Sequence, residues 1–457
     1  MKSDNAFSIS NPKIDPSRKP VTALKPALKP DGSPNDNDRV EFGPTALAFE
    51  EWLNLGITMP NLDRMRQTRL DRLADELRKR DYAGALLFDP LNIRYASDSS
   101  NMQLWIAHNP ARACFVSAEG YMVLWDFHGC DHLSSYLPLI KEHRHGAGFF
   151  YFVAGDKEED LAANFAAQVD DLLRTHGGDN RRLAVDKIEV AGVHALEKHG
   201  IQIGSGQEVC EHARLIKGVD ELNAMRCAMA TCEISVNAMH ESMKPGITET
   251  ELWAVLHAEN IKRGGEWIET RILSSGPRTN PWMQEAGPRV LQNNEILSFD
   301  TDLIGPYGYC SDISRSWFCG DGQPTAEQRH LQHVAYDHIM SNMELLKPGV
   351  SFRELTEKGK RLPPEFVEQR YGVMMHGVGL CDEFPAIHYP EDFIDGAFEY
   401  ILEPGMTLCV EAYIGAVDGR EGVKLEDQVL ITEKGYENMT TLAFDEKLMA
   451  GYENFSG

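Results

Sequence analysis

The stretch EILSFDTDLIGPYGYCSDISRSWF, residues 295–318, decides the fold of the chain. Asp300 and Asp302 are two residues apart, so on a strand their side chains would lie on the same face. The Gly-Pro and Tyr-Gly pairs at residues 305–308 are typical of a turn, and Asp312 follows on the returning strand. We therefore expect a hairpin at whose end three carboxylates converge.

Converging carboxylates repel each other, and a bound cation is the usual remedy. Three further candidate ligands follow later in the chain: His376 in MMHGVGL, Glu411 in EPGMTLCVEAY and Glu426 in GVKLEDQVLIT. Five carboxylates and one imidazole suit two hard or borderline divalent ions, such as manganese, iron, cobalt or zinc. Each residue alone says little, but together the six predict a metal centre.

The sequence around this hairpin predicts an α+β domain. Residues 221–246 have the pattern of a long amphipathic helix closed by Pro-Gly, and Thr248 with Glu251 forms a capping box that opens the next helix. Strand patterns dominate from Ile272 onward. We therefore expect helices packed on a mostly antiparallel sheet.

The upstream sequence predicts a separate α/β domain. Residues 61–83 carry leucines at helical spacing, residues 85–89 are a short apolar strand followed by a turn-like DPLN, and residues 113–127 are typical of two strands joined by a turn.

The first 44 residues hold 7 of the 23 prolines and almost no aromatic residues, which predicts a tail or an extended arm on a partner subunit. A length of 457 residues is consistent with about two or three domains. The predicted organisation is a Pro-rich tail at 1–45, an N-terminal domain at 46–213 and a metal-binding catalytic domain at 214–457.

The composition excludes several classes of partner. Asp and Glu outnumber Lys and Arg by 70 to 45, a net charge of −25, so nucleic acid and anionic membrane surfaces are disfavoured. No apolar run approaches the roughly 18 residues of a membrane span. The nine cysteines form no CxxC pair, which indicates reduced thiols and predicts a cytoplasmic protein.

These motifs resemble those of the pita-bread metalloenzyme superfamily, which includes methionine aminopeptidase, aminopeptidase P, prolidase and creatinase. SDISRSWF, HGVGL, LEPGMTLCVEAY and GVKLEDQVLIT look like its motifs, and residues 70–98 and 214–228 resemble its creatinase-type N-terminal domain and linker helix. The resemblance covers about residues 60–445. It implies a pita-bread catalytic domain, a homodimer, two metal ions per subunit and ligands at Asp302, Asp312, His376, Glu411 and Glu426.

Three departures separate the chain from the peptidases of that superfamily. Asp302 and Asp312 are one residue closer together than is usual, and Asp300 adds a carboxylate. Asp382-Glu383 stands where the peptidases carry a His-Glu pair, and the loop SSGPRTNPWMQEAGPRV lacks the histidine that they carry there. Since those two histidines hold the peptide carbonyl and the tetrahedral intermediate in the peptidases, their loss argues against amide hydrolysis.

One subgroup, the DddP-type dimethylsulfoniopropionate lyases, resembles this pattern because it has an extra metal aspartate and an aspartate after HGVGL. The resemblance implies a carbon–sulfur lyase that cleaves dimethylsulfoniopropionate, a small zwitterion, to dimethyl sulfide and acrylate. It also implies iron, although zinc and manganese suit the ligand types. We expect Asp382 to remove the substrate α-proton, and Tyr371 or Trp105 to hold the sulfonium by cation–π attraction.

Other functions stay open at this point. A proline-specific metallopeptidase with a rearranged histidine pair would act on X-Pro dipeptides. A non-catalytic pita-bread binding protein would have no need of the complete ligand set. A lyase or hydrolase for another small zwitterion is a further alternative. Cys381 is expected to line the pocket, since nothing near it in sequence resembles the base that would activate a nucleophile.

Overall fold

The computed structural model describes residues 42–455, apart from the side chain of Asn454. The predicted Pro-rich tail lies almost entirely outside the described residues, so the hypothesis of an arm stays a prediction. The described chain forms two compact units. The first comprises Pro60–Arg214 and Gly218–Asp220, and the second comprises Pro44–Met59, Leu215–Lys217 and the chain from Glu221 onward.

The segment 44–59 contains helix α1, Ala46–Asn54, and belongs to the second unit. The Thr45 hydroxyl caps this helix and donates a hydrogen bond of 2.9 Å to the carbonyl of Lys262. Glu51 forms an ion pair of 2.7 Å with Arg263. These contacts explain why α1 packs with the second unit, although the sequence analysis placed residues from 46 onward in the N-terminal domain.

The first unit is built on a mixed sheet. Its helices are α2 (Leu62–Lys79), α3 (Pro90–Ser97), α4 (Gln103–His108), α5 (Tyr151–Ala154), α6 (Glu158–His176), α7 (Val190–Lys198) and α8 (Gly206–Leu215). Its strands are β1 (Gly84–Leu87), β2 (Ala113–Ser117), β3 (Met122–Trp125), β4 (Ile140–Arg144), β5 (Arg182–Val185) and β6 (Gln202–Ser205). They run in the order β4-β3-β2-β1-β5-β6.

The central strands of this sheet are buried on both faces, as their continuous apolar sequences predict. The residues DPLN do not form the expected turn, because Asp89 and Pro90 instead begin α3. The Asp89 side chain accepts a hydrogen bond of 2.9 Å from the N–H of Leu91, and Pro90 occupies the first helical turn. An aspartate before a proline thus acts here as a helix N-cap.

The second unit contains the remaining elements. Its helices after α1 are α9 (Val219–Ser242), α10 (Glu249–Lys262), α11 (Ala326–Met343), α12 (Phe352–Lys358) and α13 (Glu446–Met449). Its strands are β7 (Trp267–Ile268), β8 (Leu273–Ser275), β9 (Glu295–Asp300), β10 (Leu303–Ile304), β11 (Cys310–Ser311), β12 (Ser314–Cys319), β13 (Met375–Val378), β14 (Asp382–Ile387), β15 (Thr407–Ile414), β16 (Val423–Ile431) and β17 (Tyr436–Asn438).

The large sheet of this unit has the strand order β14-β13-β15-β16-β12-β9-β8, and all its pairs are antiparallel. The predicted capping box at the start of α10 is present, since the Thr248 hydroxyl accepts from the N–H of Glu251 and the Glu251 carboxylate accepts from the N–H of Thr248. The predicted α+β arrangement of helices on an antiparallel sheet is therefore confirmed.

Among the described helices, none combines the length and the apolar character that a membrane-spanning helix needs.

Candidate metal centre

The register of four neighbouring strands places polar side chains in one row across the large sheet. Asp300 on β9 lies opposite Ser314 on β12, Ser314 lies opposite Glu426 on β16, and Glu426 lies opposite Glu411 on β15. Neighbouring strands are about 4.8 Å apart, so each residue in the row reaches the next. Long-range strand pairing therefore brings together carboxylates that are more than 100 residues apart in sequence.

The other two aspartates enter this row from loops rather than from strands. Asp302 follows the end of β9 with a left-handed φ of +36°, and Asp312 lies between β11 and β12. Carboxylate oxygens of Asp300, Asp302 and Asp312 lie within 4.8 Å of one another. The three acids converge as the sequence suggested, but Asp302 does so through a bend held by the hydroxyl of Thr270, which donates to it at 2.7 Å.

His376 on β13 faces this group with one ring nitrogen. Its Nε2 lies 3.2 Å from Glu426, 3.5 Å from Asp312 and 3.5 Å from Glu411. Its Nδ1 lies 3.0 Å from the carbonyl oxygen of Gly377, which can only accept, so this contact favours the tautomer that is protonated at Nδ1. This bond leaves the Nε2 lone pair of the neutral imidazole for a metal ion.

The spacing of these atoms fits a shared cation. A first-row divalent ion holds nitrogen and oxygen ligands at about 2.0–2.2 Å, which puts adjacent ligand atoms about 3–3.5 Å apart. The separations around Nε2 fall in this range. In addition, Asp312 Oδ1 is buried with no hydrogen-bond donor among the described residues. A buried carboxylate oxygen without a donor is costly unless a cation binds it.

The raised pKa values of three of the acids show that their ionised forms are unfavourable in the metal-free protein. Burial raises the pKa of Asp302 well above its usual value, and the neighbouring Asp300 adds to the shift. Burial likewise raises the pKa of Asp312, with Glu426 as the next cause. Burial raises the pKa of Glu411 to about 8, against the opposing effect of Lys424. Several carboxylates in this group therefore favour the neutral acid until a cation arrives.

Lys424 is a member of the site that the sequence analysis missed. It lies two residues before Glu426 on β16, so both side chains point to the same face, and it is fully buried. Its Nζ lies 2.7 Å from Glu426, 2.8 Å from Glu411 and 3.0 Å from Asp300. The Ser314 hydroxyl also contacts this ammonium at 3.0 Å. One ammonium therefore joins three of the six candidate ligands.

Two aromatic rings border the buried ammonium. The centroid of the Tyr371 ring lies 4.7 Å from Lys424 Nζ, and that of Trp282 lies 5.7 Å away. Trp282 stacks on Tyr413 with centroids 5.7 Å apart. Trp282 belongs to the loop at residues 274–290, in which the superfamily peptidases carry a histidine. It was not predicted from the sequence, because a lone tryptophan in a loop does not indicate a site residue.

Asp382 begins β14 beside the cluster, with Oδ1 3.7 Å from His376 Nδ1. Its side chain is 55% exposed, so solvent and a small molecule can reach it. Partial loss of hydration is nevertheless the largest cause of a raised pKa for Asp382, and His376 opposes the shift. A carboxylate with a raised pKa is a better proton acceptor than an ordinary one.

Trp105, which was predicted to hold the sulfonium, lies on α4 in the first unit. Its ring contacts Phe127 at a centroid distance of 5.9 Å, and its part in substrate binding stays a prediction.

Cys409 on β15 was not predicted, yet its Sγ lies within 4.8 Å of ligand atoms of Asp312, His376 and Glu426. Burial raises the pKa of the Cys409 thiol well above its usual value, and Asp312 adds to the shift, which favours the neutral thiol.

Comparison with known proteins gives relatives over nearly the whole chain. The sequence model of metallopeptidase family M24 matches residues 223–433. The dimethylsulfoniopropionate lyase DddP of Roseovarius nubinhibens is 57% identical over 96% of this chain and 98% of its own. The protein of the same name from Roseobacter denitrificans is 54% identical over 96% of this chain and 97% of its own.

Solved structures share the fold at low sequence identity. The Xaa-Pro dipeptidase from Bacillus anthracis superposes with a TM-score of 0.65 at 21% identity, over 83% of this chain and 99% of that one. The dipeptidase from Pyrococcus horikoshii OT3 superposes with a TM-score of 0.66 at 20% identity, over 82% of this chain and 99% of that one.

This chain therefore belongs to the DddP family within the M24 metalloenzymes, and it has the pita-bread fold that the resemblance predicted.

Proposed function

We propose that this protein is a metal-dependent dimethylsulfoniopropionate lyase, which forms dimethyl sulfide and acrylate by base-promoted β-elimination. Two relatives at 57% and 54% identity bear the name of this activity. The observation that carries the mechanism is the position of Asp382, whose carboxylate lies 3.7 Å from the imidazole of His376 and remains open to solvent. This carboxylate, our candidate base, lies beside the candidate metal centre at the position where the peptidases of the superfamily carry a histidine.

The reaction needs a base but no water nucleophile. The Asp382 carboxylate takes the proton from the carbon next to the substrate carboxylate, and the electrons of that C–H bond form the new C=C bond. The C–S bond breaks, and its electron pair leaves with sulfur, so the sulfonium becomes neutral dimethyl sulfide. The remaining product is acrylate. Because no water is added, the histidines that serve amide hydrolysis are not required.

The site residues fit two divalent ions, for which we propose iron, with zinc or manganese as alternatives. Asp300, Asp302, Asp312, His376, Glu411 and Glu426 would hold them. A bound divalent ion supplies Lewis-acid polarisation of the substrate carboxylate, which lowers the cost of removing the α-proton.

Charge balance supports a count of two ions. The five carboxylates carry five negative charges and Lys424 carries one positive charge, which leaves four. Two divalent ions neutralise these four charges, and the Asp382 carboxylate remains as an additional anion, which is the proposed base. An anionic carboxylate of the substrate can then approach a site that would otherwise repel it.

The substrate sulfonium needs a separate partner, and we propose the aromatic faces of Tyr371 and Trp105. Cation–π attraction of this kind contributes about 0.5–2 kcal/mol. Tyr371 is supported by its place at the border of the cluster, where its ring already faces one cation. Trp105 is supported by sequence alone. The proposal also includes a cytoplasmic homodimer, for which the nine free cysteines and the family resemblance are the support.

The substitution Asp382→Asn tests the proposal. Because it removes the base and keeps the side-chain shape, we expect release of dimethyl sulfide to fall by about 10²–10⁴-fold. Bound metal per chain should stay within twofold of the parent protein. Gas-phase assay of dimethyl sulfide and elemental analysis of the same preparation measure both quantities. A variant with a near-normal rate would rule out Asp382 as the base.

The metal-loaded parent protein separates the alternative functions. Hydrolysis of X-Pro dipeptides without release of dimethyl sulfide would identify a proline-specific metallopeptidase. Binding of dimethylsulfoniopropionate without turnover by the metal-loaded protein would identify a pita-bread binding protein. The lyase is favoured over the peptidase because the loop at residues 274–290 and the pair Asp382-Glu383 lack the two histidines that hold the peptide carbonyl and the tetrahedral intermediate in the peptidases.

A further inference from the structure

A buried ion pair lies behind the hairpin that carries Asp382. Lys217 Nζ lies 3.0 Å from Glu383 Oε2, and their side chains are 2% and 1% exposed. Both residues belong to the second unit. Glu383 directly follows Asp382 on β14, so strand alternation sends the two carboxylates to opposite faces. The Lys217–Glu383 pair therefore lies on the face of β14 that points away from the candidate metal centre.

Glu383 holds the three-residue loop that connects β13 and β14. Its second oxygen, Oε1, accepts a hydrogen bond of 2.9 Å from the N–H of Leu380. Its carboxylate packs against Gly379, where a Cβ atom would come within 2.4 Å of Oε2, so a larger residue at 379 would displace the carboxylate. Glu383, the residue that follows Asp382, thereby fixes the loop at residues 379–381.

Lys217 is anchored to a second element of the same site. Its backbone N–H donates a hydrogen bond of 2.8 Å to the carbonyl of Gly405, which has a φ of +93° in the turn before β15. β15 carries Glu411, one of the candidate ligands. The Lys217–Glu383 pair therefore ties the hairpin of the proposed base to the turn that leads to a candidate ligand strand.

The geometry points to a role for Lys217 and Glu383 as positioning residues that fix the Asp382 carboxylate relative to the metal centre. This inference rests on the proposed function of Asp382. Asp382 is half exposed and begins a strand, and its carboxylate lies 3.7 Å from His376 Nδ1, too far for a hydrogen bond that would fix it. A fixed neighbour in the chain supplies the order that proton transfer requires, since a misplacement of about 1 Å can lower a rate about 10²-fold.

The test compares Glu383→Ala, Glu383→Gln and the double substitution of Lys217→Met with Glu383→Gln. Glu383→Ala removes both the ion pair and the bond to Leu380, so we expect kcat for release of dimethyl sulfide to fall about 10–100-fold. KM and bound metal per chain should stay within about twofold. Glu383→Gln keeps an acceptor for Leu380 and should recover most of the rate. The double variant keeps that acceptor but loses the ammonium, and we expect kcat between those of Glu383→Gln and Glu383→Ala.

Controls separate positioning from general destabilisation. Arg263→Met breaks the ion pair with Glu51 in the same unit, and it should leave kcat unchanged at temperatures where the protein is folded. If Glu383→Ala does not fold, the double variant carries the test, because it replaces the buried pair with neutral groups of similar volume.

Two results would overturn the inference. One is a folded Glu383→Ala or double variant with the parent kcat, and the other is a loss of rate that follows a loss of bound metal. Asp382→Asn is assayed in parallel. If Asp382→Asn is inactive while both Glu383 variants are fully active, the positioning role fails and the base survives. If Asp382→Asn is active, the proposed base itself fails.

Discussion

Lys424 shows how one residue can change the chemistry of a metal centre. Relative to the peptidase pattern, this chain has an additional carboxylate at Asp300, and the ammonium of Lys424 lies 3.0 Å from it. The same ammonium contacts Glu411 and Glu426, so it offsets one charge of the cluster internally. The charge of the extra acid is therefore offset within the protein itself.

Lys424→Met tests this balance in the metal-free protein. Removing one partner of a buried charge group leaves the carboxylates without their internal cation, which costs about 3–5 kcal/mol. We expect the free energy of unfolding of the chelator-treated variant to fall by that amount, measured by urea denaturation. Reloading with metal should recover part of the loss. Lys262→Met, at a side chain that is 57% exposed, should change it by at most about 0.5 kcal/mol. Equal losses in the two variants would contradict the role of Lys424.

The candidate ligands could be found from sequence because carboxylates and a histidine stood beside glycines at strand ends. Lys424 and Trp282 could not, for two physical reasons. A lysine in a strand is usually solvated, and burial of its ammonium depends on partners from β9, β12 and β15 that sequence does not show. A tryptophan in a loop is usually core packing, and the stack on Tyr413 that holds Trp282 beside Lys424 depends on tertiary contacts.

At the scale of elements, strand register does most of the assembly. The row from Asp300 through Ser314 and Glu426 to Glu411 exists because β9, β12, β16 and β15 pair in one register. A shift by one residue would turn each side chain to the other face. The strands and their polar residues were predicted from the sequence, and the family resemblance implied a shared ligand set. The register between distant strands and the bend at Asp302 came only from the structure.

The first unit has its own charged element at the end of α3. Asp98 adopts a left-handed φ of +60° there, and its carboxylate pairs with Arg66 at 2.8 Å and Arg69 at 3.4 Å from α2. Burial acts to raise the pKa of Asp98, but Arg66, Arg69 and Arg94 prevail and hold it below its usual value. The carboxylate therefore joins two helices only while it is ionised.

Asp98→Asn should destabilise the first unit in a pH-dependent way. Asparagine tolerates the left-handed backbone, so the substitution removes charge alone. A lowered folded pKa means that the stabilisation is full above the unfolded pKa of about 3.9 and is lost as pH falls through the folded value. We expect a loss of about 3–5 kcal/mol at pH 7, measured by urea denaturation, and a smaller loss below about pH 4. Asp63→Asn is the matched control, because Asp63 pairs with the same arginine but is 84% exposed. A loss that does not depend on pH would argue against the charge pairing.

At the scale of the whole molecule, all six candidate metal ligands belong to the second unit, while the first unit is folded on a sheet and core of its own. A metal ion that binds only the folded state stabilises the unit that holds it, by about 3–4 kcal/mol at a free concentration of 100–1,000 times its dissociation constant. The effect of metal on local stability should therefore differ between the two units.

Chelation with hydrogen exchange measured by mass spectrometry tests this difference. Removing the metal leaves the repelling carboxylates of β9, β15, β16 and the residues just before β12 without their metal ions, so we expect faster amide exchange in peptides from these four strands. Peptides from β1, β2 and β5 of the first unit should change little. Adding back the metal should restore the original protection, and Asp312→Asn should respond weakly to chelation because one candidate ligand is already neutral. Uniform change in both units, or none in either, would show that metal binding is not confined to this cluster.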